Sequence, residues 1–100
     1  MDHTLDADLE LKDRAMVGDE KFLISTIKME VRHSWLNQHE NVFVYETMVF
    51  EDIQGKIQYQ KPVFYKRYAN PEEAKAGHDE TLKNIEKIIR TTRECRARLS

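Results

Sequence analysis

The chain has one cysteine, three glycines and two prolines among its 100 residues. A lone Cys95 excludes a disulfide framework and a cysteine-built zinc site. So few glycines and prolines exclude a low-complexity or loop-dominated chain. No apolar run exceeds four residues, too short for a membrane span or the core of a signal peptide. The net charge is only −2, and the pI near 6.1 lacks the strongly basic balance usual in nucleic-acid-binding domains. What is present is 40% hydrophobic and 34% charged residues, enough for one small core under a charged surface. The composition therefore predicts a single domain without membrane contact, in a reducing compartment, and places it in the cytoplasm.

The near-neutral total conceals a gradient. Residues 1–21 carry −4, residues 22–82 carry −2, and residues 83–98 carry +4. An acidic head and a basic tail can each attract a partner of opposite sign. The head is expected to be an arm or a short helix, with Thr4 as a cap and Gly18 as a terminator. A single domain is expected over 22–100, with its strands within 22–69 and its helix over 71–98.

From Phe22 the pattern alternates. Leu23, Ser25, Ile27, Met29, Val31 and His33 share one face, and Phe22, Ile24, Thr26, Lys28 and Glu30 share the other. The second face becomes charged partway along, so the first is expected to face the core. Leu36 to Asn41 reads as a turn, and Val42 to Glu51 as a strand apolar on both faces. Asp52-Ile53-Gln54-Gly55 supplies a second turn in which Gly55 takes positive φ. Pro62 cannot donate to a ladder, so it marks an edge or a break in the strand from Lys56 to Tyr68.

Asn70-Pro71-Glu72-Glu73 is the strongest local signal: an N-cap, a proline suited to the first helical position, and a glutamate at the third. An apolar stripe through Ala74, His78, Thr81, Ile85, Ile88, Thr92, Cys95 and Leu99 then predicts one long helix. At ~1.5 Å per residue its end overhangs a strand layer. An overhanging helix points to a homodimer contact. The fold class is thus α+β: an antiparallel sheet of three to four strands, one long C-terminal helix on one face, and the acidic arm.

Three polar residues fall on faces that periodicity marks as buried: His33, Glu46 and His78. Two histidines and a carboxylate are a ligand set for a small molecule or a metal, or an acid–base pair with an orienting carboxylate. With a short hairpin loop Glu46 pairs near Met29 and stands ~10 Å from His33, which speaks against a joint site. The bland reading makes each a hydrogen-bonded interior residue. Nucleic-acid binding is a further reading, through Lys83, Lys87, Arg90, Arg93, Arg96 and Arg98 on the C-terminal helix. No phosphate loop, metalloprotease motif or nucleophile elbow occurs, and no cofactor or catalytic residue is expected.

The order Ile24-Ser25-Thr26, His33, Tyr45-Glu46-Thr47-Met48-Val49-Phe50, Arg67-Tyr68, Glu72-Glu73-Ala74 and Gly77-His78 resembles a family of small, largely uncharacterised proteins of tailed bacteriophages. The chain differs from that family in three respects. It has Arg32 where an acid precedes the histidine, it lacks a Gly/Pro-rich loop between the first two strands, and it adds the acidic head. The resemblance implies phage origin; small phage proteins of this size are often accessory factors that bind and redirect a host component, inhibitors of bacterial defence among them, so the expectation is a non-enzymatic accessory protein in the host cytoplasm that binds a host protein. Its contact candidates are Asp6, Asp8 and Glu10 in the head, the aromatics Tyr59 and Tyr65, and Arg90, Arg93 and Arg96. The resemblance also makes His33, Glu46 and His78 the first polar residues to test.

Overall fold

The structure, a computed structural model, describes residues 9–32 and 41–99. Five strands form one antiparallel sheet: β1 (Glu10–Val17), β2 (Glu20–Arg32), β3 (Asn41–Ile53), β4 (Lys56–Ile57) and β5 (Phe64–Tyr68). Two helices follow, α1 (Pro71–Lys83) and α2 (Ile85–Leu99). The sheet order is β1-β2-β3-β4, and β5 shares with β4 the edge of β3 that faces away from β2.

Local chemistry accounts for the turns. Val17 pairs with Glu20 across Gly18-Asp19, and Gly18 alone has positive φ, the pattern of a type II′ hairpin. Ile53 pairs with Lys56 across Gln54-Gly55, where both central residues have positive φ, as type I′ requires. Pro62 falls in the gap between β4 and β5, so the strand expected from Lys56 to Tyr68 is broken there. Asn70 caps α1 by accepting the Glu73 N–H at 2.8 Å, with Pro71 at the first helical position.

Three expectations change. Residues 10–17 of the head form an edge strand rather than an arm or a helix. Leu11, Asp13, Ala15 and Val17 alternate with Glu10, Lys12, Arg14 and Met16 and pair in register with β2. The sheet therefore has five strands, not three or four. The single long helix is two helices, interrupted at Asn84. The Asn84 amide side chain donates to the Glu80 carbonyl at 3.0 Å, the same carbonyl its backbone N–H uses. Asn84 is the C-cap of α1, with φ −109° and ψ 23° outside the helical range.

The third change concerns which face of the sheet is covered. Pairing places Asp13, Ile24 and Val49 in one row, and Leu11, Thr26, Thr47 and Lys66 in the next. This is the face the helices cover, so the core lies on the Phe22–Thr26 side of β2, not on the Leu23–Val31 side. α2 packs on Phe22, Ile24 and Val49 through Ile85 and Ile89. α1 packs Ala74 on Leu9 and Tyr45. On the opposite face Leu23 and Phe50 are still buried. Arg14, which pairs opposite Leu23, crosses β2 to reach Asp52 on β3 at 2.7 Å, and the Tyr59 ring stands edge-on to Phe50 at 5.2 Å. The aliphatic stem of an arginine shields apolar surface while its head stays wet.

No helix among the described residues is long and apolar enough to cross a membrane.

Candidate functional site

The row that separates the two apolar clusters is polar. Thr26 on β2 and Thr47 on β3 are directly opposite and wholly buried, with their hydroxyls 2.6 Å apart. α1 lays His78 over them: its Nδ1 lies 2.7 Å from Thr26 Oγ1, and its Nε2 lies 2.8 Å from Asp13 Oδ2 on β1. His78 is 1% exposed, whereas the Asp13 side chain is 51% exposed. The four residues form one chain of hydrogen bonds from the sheet edge into the interior.

For a neutral imidazole the partners fix the donors. A carboxylate only accepts, so His78 Nε2–H donates to Asp13. In the neutral ring Nδ1 then accepts, so Thr26 donates to it. Thr26 in turn accepts from the Thr47 hydroxyl. Each buried side-chain polar atom among the described residues has a partner. This satisfaction is what lets a histidine and two threonines stand inside a small core.

The connectivity Asp13–His78–Thr26 matches that of an activated nucleophile, in which a carboxylate orients the imidazole that takes the hydroxyl proton. Access distinguishes this arrangement from such a site. Thr26 is sealed between the sheet and α1, with its oxygen also engaged by Thr47. What the arrangement does chemically is fix α1 on the sheet at one register.

Neighbouring residues confirm how closely α1 is seated. Gly77 presses against the Tyr68 ring, and a Cβ at this position would stand 2.6 Å from Tyr68 Cε1. The Thr81 hydroxyl donates to the Gly77 carbonyl at 2.7 Å. Burial and the Glu80 carboxylate hold the Tyr68 phenol above its ordinary range, so it stays protonated and able to donate.

The polar residues marked by periodicity are not brought together. Glu46 is buried, as its face suggested, but it pairs with Ile27 and Arg67 on the sheet face away from the helices. Its Oε2 accepts from Arg67 Nε at 3.1 Å. The register is two residues from the one expected beside Met29. His78 lies on the helix-covered face. His33, Asp6 and Asp8 lie outside the described residues. No group of three or more His, Cys, Asp or Glu among the described residues is placed to hold a metal ion.

The contact candidates have distinct fates. Glu10 is exposed on β1 and pairs with Lys12 at 3.3 Å. Tyr59 and Tyr65 are about three-fifths exposed, at 61% and 62%. Arg90 pairs with Glu86 one turn away at 3.8 Å. Arg93 grips Glu20 through both terminal nitrogens, at 2.8 and 2.6 Å, and reaches Glu51 at 3.4 Å. These bonds hold the Glu20 carboxyl below its usual range and raise the guanidinium further. Arg93 therefore ties α2 to the β1–β2 turn and to β3. Arg96 and Cys95 lie on the exposed last turns of α2.

Sequence reasoning missed Asp13, Thr26 and Thr47. The available signal was a pair of threonines at facing positions in two apolar strands, Ser-Thr in one and Glu-Thr in the other. Asp13 became visible only once β1 was known to be a strand.

One open feature remains beside this network. β5 pairs with β3 along one edge, and its other edge is unpaired among the described residues. Next to it lies a cleft of about 580 Å³, lined by Lys66, Arg67 and Tyr68 from the strand and by Glu73, Ala76, Gly77 and Glu80 from α1. No family model, no curated protein and no solved structure matches the chain.

Proposed function

We propose that this chain is a non-enzymatic accessory protein of tailed-phage origin that binds a host protein in the bacterial cytoplasm, with components of host defence as the partner class. The observation that carries the binding reading is the unpaired β5 edge beside an open cleft, on a sheet whose helices are locked in place. An edge strand presents unpaired backbone donors and acceptors, the feature through which sheets recruit another chain. The groups that suggest chemistry instead serve the fold. Both ring nitrogens of His78 are used internally, and Glu46 is engaged by Arg67. The order of motifs shared with the phage family supports the origin.

The test is affinity capture from a bacterial lysate with the tagged protein, followed by titration calorimetry against the purified captured protein. The expected result is one host protein retained in stoichiometric amount and a saturable heat of binding. Lysates that yield no such protein overturn the reading.

A further inference from the structure

We infer that the sheet face turned away from the helices is an interface between two copies of this chain, packed about a two-fold axis that runs along the strands between β2 and β3. An antiparallel sheet with helices on one side ordinarily turns a polar face to water on the other. Here that face carries Leu23, Ile27 and Met29 on β2 beside Val44, Met48 and Phe50 on β3. Leu23 and Phe50 are buried within one copy, whereas Ile27, Met29, Val44 and Met48 are only half-buried. The flanking strands add Met16 and Tyr65, which are 60% and 62% exposed. The charges here leave little attraction for a strongly charged partner, because Lys12 pairs with Glu10, Arg14 with Asp52 and Arg67 with Glu46.

The register makes this face complementary to itself. The axis lays β2 on β3 of the second copy and β1 on its β5 and β4, with the rows kept level. Leu23 then meets Phe50 of the second copy, and Met29 meets Val44. Met16 shares a row with Lys21, Asp52 and Ile57, so it meets Ile57, and Lys21 meets Asp52. Glu10 meets Arg67, and the Lys12 ammonium meets the Tyr65 ring. Glu46, opposite Ile27 of the second copy, keeps Arg67 as its partner. An axis across the strands would instead lay β1 on β1 and gather two copies of Lys12 and Arg14. Aligned sheets pack ~10 Å apart at about 30°, which moves the flanks by only ~4 Å, within reach of these side chains. Four strands at ~4.8 Å spacing and the span from Lys21 to Met29 make a face of about 19 by 27 Å. That is about 500 Å² per copy before the relief of the side chains and about 1,000 Å² for the pair, the lower bound of a specific interface.

The test is sedimentation velocity of the full chain over a dilution series. The expected result is a dimer that dissociates on dilution. Tyr65→Lys replaces both ring contacts by ammonium pairs and should raise the dissociation constant about five- to thirtyfold. Adding Lys12→Glu should recover most of that loss. Lys12 and Tyr65 of one copy stand three strands apart, ~14 Å, so the recovery can arise only between copies. Both side chains are exposed, so the melt of the dilute monomer should be unchanged in either variant, which separates lost pairing from lost folding. A monomer at every concentration overturns the inference and reassigns the face to a different protein. A dimer indifferent to Tyr65→Lys, or one that Lys12→Glu fails to restore, overturns it too.

Discussion

The hydrogen-bond chain Asp13–His78–Thr26–Thr47 predicts an inversion that pairwise contact counting does not. Replacing Thr26 by Val keeps shape and strand preference but removes the central hydroxyl. It leaves His78 Nδ1 without a donor and the Thr47 hydroxyl without an acceptor, both buried. Each orphaned group costs ~1–3 kcal/mol, so Thr26→Val should destabilise by about 2–6 kcal/mol. Thr47→Val removes only the terminal donor, and Thr26 still donates to His78. Its cost should be nearer ~1 kcal/mol, the net value of one hydrogen bond. The double variant leaves a single orphan, His78 Nδ1. It should therefore be more stable than Thr26→Val alone, although it carries one more substitution. A domain of this size has ~5–15 kcal/mol of stability, so all three variants can be measured by urea unfolding near the temperature of maximum stability. Additive losses, or a Thr47→Val cost equal to that of Thr26→Val, would refute the donor assignment.

Three further outcomes follow from the same packing. Gly77→Ala drives a methyl group into the Tyr68 ring and should cost ~1–3 kcal/mol by thermal melt, with part of the loss recovered by adding Tyr68→Ala; no recovery would mean the clash is not the cause. Asn70→Ala removes the α1 cap and should cost ~1 kcal/mol, read as a lowered urea midpoint with unchanged slope. Arg93→Gln releases Glu20, whose folded-state pKa is lowered, so this contribution is present above about 4.5 and fades as pH falls through the lowered value. The gap between wild type and Arg93→Gln should be at most ~1 kcal/mol at neutral pH and close on acidification, and a gap independent of pH would refute the pairing.

The sequence by itself determined the features set by adjacent residues. Asn70-Pro71 started α1 where their chemistry requires it, Gln54-Gly55 made the tight turn, and Pro62 parted β4 from β5. Each depends on φ preference, a missing N–H or a side chain bonding within three residues, so nearby identity suffices. His78 and Glu46 were legible as buried because polar residues interrupted apolar periods. Their partners were not legible. Periodicity divides β2 into two faces, and when both begin with apolar residues it cannot say which face a helix will cover. That choice came from packing, with Ile85, Ile89 and Ala74 settling on the Phe22–Thr26 side. The same choice joined Asp13 to His78 across 65 residues, on a strand whose charges had suggested an arm. Long-range pairing decides register and face, and with them which polar groups are sealed together and which strand edge stays open.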